Sequence, residues 1–242
     1  SGPVEVLLFG DFETEKAVNA LRNTVGALKP RSAASISQKA SQVIFPAANA
    51  KPLRFTHKGP KDQLAAVIGW PTGAGLAQIS EARQLEVLAA LFRDRLFEKF
   101  RSEQAASYSP DATATWPDEF ASGGFLMAYS QMQPKDKDRF FAFANAVAAD
   151  LASTPVSKDE LQRALEPILQ YVERATTGNL FWMNELEGAT YNAARYEALG
   201  RLYSDYSKVT PEQLQALARK YLVSEKAWTM VVEPEADAVA SR

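Results

Sequence analysis

Apolar and polar positions along the chain fall into short apolar or alternating runs separated by longer stretches of helical period. Val4-Glu5-Val6-Leu7-Leu8-Phe9-Gly10 is mostly apolar and ends on glycine, which predicts a buried strand. Residues 11–14 offer N-cap candidates for a helix to about Leu28, with Ala17, Leu21, Val25 and Leu28 on one face. Residues 29–50, rich in serine and alanine, have no clear period and read as a surface connector. Residues 53–58 and 63–70 read as two strands joined by a turn at 58–62. The strongest helical pattern covers 80–100. Leu85, Leu88, Leu91, Phe92, Leu96 and Phe100 recur there at three-and-four spacing, with Arg83, Glu86, Arg93 and Lys99 on other faces.

Two further strands are expected at 106–115 and 124–132, then a helix opening at Pro134 and running to Leu151. Ser157-x-x-Glu160 has the form of a capping box for the next helix. Helical segments continue to about Tyr221, with breaks near Gly178 and at Thr210-Pro211-Glu212. A last strand follows at 227–232, and 235–242 read as a loose tail. This order of elements predicts an α+β fold. Its sheet is mixed, mostly antiparallel and six-stranded, with helices packed on one face. Residues 1–242 form one domain on this reading. Ser1-Gly2 resembles a vector-derived start, so the chain is expected to be a piece of a longer protein.

Composition narrows the chemistry. The 242 residues are 46% hydrophobic and 23% charged, ordinary for a chain with a sizeable core. A net charge of −2 gives no electrostatic basis for binding nucleic acid or an anionic membrane. With no cysteine, disulfides, thiolate metal sites and a cysteine nucleophile are excluded. One histidine, His57, cannot supply a catalytic zinc site, which needs three or four ligands. No residue set in the chain reads as catalytic or metal-ligating.

One junction stands out. In Phe100-Arg101-Ser102-Glu103-Gln104-Ala105-Ala106-Ser107-Tyr108, an arginine and a tyrosine lie seven positions apart between the long helix and the next strand. Three stretches together resemble the C-terminal, non-metal domain of the pitrilysin/insulinase-type zinc metallopeptidases. They are residues 6–12, the segment 96–104 with Tyr108, and 209–222 ahead of the final strand.

The resemblance implies a mitochondrial-processing-peptidase-like domain that holds substrate and forms a chamber wall, inactive alone. Zinc would sit outside this chain, on an H-x-x-E-H helix that is absent here. Arg101 and Tyr108 would be the substrate-binding residues, the arginine gripping peptide carbonyls and the phenol stabilising an oxyanion. The expected partners are a peptide substrate and N-terminal zinc-bearing domains of the same protein or a partner subunit. No nucleic acid or membrane is expected. The periplasm is the expected compartment, with the cytoplasm as alternative. A non-catalytic assembly domain of the same fold and a free-standing peptide-binding module are the alternative functions.

Other candidates have plainer readings. Arg101 could be a helix-end cation facing the dipole, and Tyr108 a half-buried strand aromatic. His57 reads as an exposed or edge residue, Glu103 as a solvated helix-end carboxylate, and Asp136 and Asp138 as a charged helix start. Phe140, Phe141 and Phe143 have core spacing. Gly73-Ala74-Gly75 lacks the lysine and spacing of a nucleotide loop. Tyr191, Tyr196, Tyr203 and Tyr206 fit either a chamber lining or an interdomain seam.

Overall fold

A computed structural model describes residues 4–30, 43–102 and 110–235. Its elements, in chain order, are α1 (Thr14–Asn23), β1 (Leu53–His57), β2 (Leu64–Pro71), α2 (Ile79–Ser102), β3 (Asp111–Thr115) and β4 (Phe125–Met132). They continue with α3 (Lys137–Ser153), α4 (Lys158–Ala175), α5 (Asn179–Glu185), α6 (Ala193–Gly200), α7 (Leu202–Ser207), α8 (Pro211–Tyr221) and β5 (Trp228–Pro234).

The sheet has five strands in the order β1-β5-β2-β4-β3. Only the β1–β5 pair is parallel. The α+β class and the mixed, mostly antiparallel sheet agree with the sequence reading, and two details do not. The expected sixth strand at 4–10 has no strand conformation, and its residues lie mostly exposed. Nor are β1 and β2 neighbours, because β5 runs between them with Met230 opposite both Leu53 and Val67. A turn predicts that two strands are close in sequence; which strand lies between them is decided by distant residues.

Alternation gives the sheet two different faces. Leu64, Ala66, Ile68 and Trp70 of β2 point inward with Leu126, Ala128 and Met132 of β4, all buried under α2 and α3. Trp70 meets Phe92 of α2 at 5.6 Å between ring centroids. Phe140 is fully buried, with Phe141 and Phe143 packed against the core as their spacing predicted. The opposite face carries Leu53, Phe55, Val67, Met127, Tyr129, Met230 and Val232, all half-buried or exposed. Phe45 covers one end of it, packing on Phe125 and Trp228 across the gap left by Gly69. Asn49 is pinned to β5 through two hydrogen bonds with the backbone of Thr229. Residues 43–50 of the connector therefore lie along the sheet.

Helix ends follow local chemistry. Thr210 and Gln213 complete a reciprocal capping box at α8. At α4 only half of the expected box forms. Ser157 accepts the Glu160 amide, while the Glu160 carboxylate turns to Arg95 with bonds of 2.7 and 3.0 Å. A bidentate guanidinium is the stronger partner for a carboxylate. Arg95 also holds the Glu160 carboxyl below its ordinary pKa.

Candidate functional site

Arg101 occupies the last turn of α2. The residue before it fixes that turn, because Phe100 is fully buried and meets Phe143 edge-on at 5.1 Å. The next residue round the helix must then face outward. The Arg101 side chain is two-thirds exposed, and its Nη2 donates to Glu98 Oε2 at 2.9 Å. An exposed pair of this kind contributes about 0–1 kcal/mol, so the guanidinium can leave it at little cost. Tyr108 and Glu103 lie outside the described residues.

A groove of about 760 Å³ flanks this end of α2, lined by Phe97, Glu98, Lys99, Pro110, Asp150 and Glu160 among others. Its charges are largely matched. Lys99 lies 3.7 Å from Asp150, and Arg95 holds Glu160. On the sheet face away from α2, Tyr129 donates its hydroxyl proton to Asp111 Oδ2 at 2.8 Å, where β3 begins. That bond raises the phenol pKa. Tyr129 was not singled out in the sequence, where it reads as one of several strand aromatics.

Sequence reasoning also missed a polar cluster between α2 and α6–α7. Arg83, assigned to an outer face by periodicity, is 7% exposed. Its Nη1 donates to Asp205 Oδ2 at 2.6 Å and its Nη2 to the Ala198 carbonyl at 2.8 Å, while Ser80 also donates to Asp205. One turn on, the Tyr206 hydroxyl donates to Glu86. Glu86 is surrounded by protein yet open to a cleft, and desolvation raises its carboxyl pKa. Burial and the neighbouring carboxylate raise that of Tyr206. No local sequence signal announces these pairs, because the partners are more than a hundred residues apart.

His57 ends the edge strand β1 with both ring nitrogens engaged. Nδ1 accepts the Gly59 amide and Nε2 donates to the Gln63 carbonyl, each at 2.9 Å. Among the described residues no three His, Cys, Asp or Glu side chains converge as a ligand set. The described residues therefore offer no set that fits a zinc ion. At Gly73-Ala74-Gly75 the Trp116 indole fills the concavity. A Cβ on Gly73 would fall 2.2 Å from that ring, and Trp116 Nε1 donates to the Gly75 carbonyl. Of the four late tyrosines only Tyr206 is buried; Tyr191, Tyr196 and Tyr203 are exposed.

Residues 3–168 match the peptidase M16 inactive domain. The chain belongs to this family. Among curated proteins no relative matches by sequence. Solved structures share the fold of this M16 domain at low identity. The periplasmic protease PqqL from Escherichia coli is 15% identical with a TM-score of 0.72, the match covering 93% of this chain and 25% of that one. A protease from Helicobacter pylori is 13% identical with a TM-score of 0.73, covering 93% of this chain and 53% of that one. A Bordetella parapertussis structure, described as the inactive peptidase domain of a candidate zinc protease, is 18% identical with a TM-score of 0.61. There the match covers 76% of this chain and 99% of the other. The M16 domain thus spans a quarter to a half of the longer structures. Among the described residues no helix is long and apolar enough to cross a membrane.

Proposed function

We propose that this M16 domain is the substrate-holding, chamber-forming half of a peptide-hydrolysing enzyme whose zinc is carried by a companion domain or subunit. The observation that carries the reading is family membership in the inactive branch, together with an arginine held outward at the end of the core helix. Zinc, bound elsewhere, would supply Lewis-acid activation. This chain would supply grip. Arg101, released from Glu98, donates to carbonyls of an extended peptide, and Tyr108 donates its phenol proton toward the oxyanion developing at the scissile carbonyl. Both act on substrate and neither binds metal. The periplasm, where the Escherichia coli neighbour acts, is the proposed compartment.

The test uses the complete protein with its metal-bearing part. Arg101→Ala and Tyr108→Phe are each expected to lower kcat/KM on a peptide by roughly tenfold to a thousandfold, with unchanged melting. Wild-type kcat/KM in both variants would overturn the role and leave a non-catalytic assembly domain.

A further inference from the structure

Residues 4–28 behave as though their partner were missing. The mostly apolar segment 4–9 forms neither helix nor strand, and among the described residues no backbone hydrogen bond joins residues 4–12 to any strand. Unpaired strand backbone is costly to bury and ready to pair. Behind it, α1 is amphipathic but has no buried residue. Ala17, Leu21 and Val25 are only half-buried, and Val6, Leu8, Phe12, Val18 and Leu28 are exposed. Few contacts tie the segment to the rest. Glu5 accepts from the Gly188 and Thr190 amides, and Phe9 stacks on Trp182 at 6.2 Å.

The extent of the matches bears on what the segment meets. The Bordetella domain is matched almost end to end while using only 76% of this chain. The unused quarter is about the size of residues 1–52 and 236–242, which flank the five-stranded sheet. In the Helicobacter protease, nearly twice as long as this chain, the match rises to 93%. Most of the residues before β1 must therefore find counterparts there. The match therefore extends further into this chain where a further half of the molecule is present than it does in the shorter Bordetella structure.

We propose that residues 4–28 are an exchanged arm whose strand and helix complete the sheet and core of the companion domain. The strand segment pairs with a free edge of that domain's sheet, and the stripe Ala17-Leu21-Val25-Leu28 packs on its apolar face. The root of the arm is fixed by Glu5 and Phe9 beside α5 and α6. Tyr196 lines a groove with Phe9 and Trp182 there, and Leu180 and Met183 of α5 are exposed. The inference takes the companion from the proposed function, but its test reads binding and protection rather than peptidase activity.

Hydrogen exchange is compared in this chain alone and in the complete protein. Residues 4–28 are expected to exchange freely alone and to gain at least roughly 100-fold protection with the companion present. Equal protection in the two samples would overturn the proposal, as would slow exchange in a dimer of this chain. Leu21→Asp with Val25→Asp should leave the melting of this chain within about 1 °C. The same pair should weaken capture of the companion supplied in trans at least about tenfold. Undiminished capture sinks the idea. Protection in a complete protein that proves inactive would reject the peptidase reading and leave the arm in place.

Discussion

Helices α1 and α2 carry apolar residues at the same three-and-four spacing, yet ten residues of α2 are buried and none of α1 is. The difference lies in what each helix meets. α2 lies over a sheet whose inward face offers Leu64, Ala66, Ile68 and Trp70, and α3, α4, α7 and α8 close around it. Among the described residues, the one element that α1 packs on to any extent is its own following turn. Amphipathic periodicity states that a helix has a side to cover; it does not state which part of the protein covers it. For α2 the cover is in this chain. For α1 we place it in the companion.

The largest expected effect tests the α2 side. Phe92 is fully buried against Trp70, so Phe92→Ala should cost about 3–5 kcal/mol in urea unfolding of this chain. A loss under about 1 kcal/mol would mean that the two helices differ less than their burial suggests.

Much of the fold was legible in the sequence, and the illegible part, this contrast included, has a physical pattern. Short-range signals worked. The spacing Leu85-Leu88-Leu91-Phe92-Leu96-Phe100 predicted α2 within two residues, and Thr210-Pro211 marked the start of α8. What failed was long-range. The insertion of β5 between β1 and β2 depends on residues some 170 positions away. Glu160 abandons half of its capping box because Arg95 is nearby in space. The run 4–10 is strand-like in composition but finds no edge among the described residues to pair with. Of the candidate site, the position of Arg101 at the helix end was readable from spacing. Its pairing with Glu98 follows from i,i+3 geometry.

A smaller effect is expected at the seam where α2 meets α6 and α7. Arg83 and Asp205 are both nearly buried, with side chains 8% and 13% exposed. Arg83→Met leaves Asp205 with only the Ser80 hydroxyl and takes one of two donors from the Ala198 carbonyl, which keeps the Arg201 amide. The loss should be about 3 kcal/mol, because an unpaired buried carboxylate is strongly unfavourable. Adding Asp205→Asn should recover part of it, giving a coupling energy of about 1–2 kcal/mol in a double-mutant cycle. Additive losses would show that the pair packs as two independent side chains.

The smallest effect belongs to the arm. The Thr190 hydroxyl and the Gly188 amide hold the half-buried Glu5 carboxyl below its ordinary value of 4.5. A depressed carboxylate favours the docked arm above the unperturbed pKa, and that preference is lost as pH falls through the lowered value. The Gly188 and Thr190 amide resonances should therefore titrate together below about pH 4.5 as the arm detaches. Glu5→Gln should abolish that titration. Urea unfolding of the core at the same pH should be the same for Glu5→Gln and wild type, since no buried residue of α1 is lost with the arm. A fall in core stability tracking the Glu5 titration would show that residues 4–28 belong to this domain after all. It would make α1 a poorly packed member of the same core, with no companion needed to explain its open face.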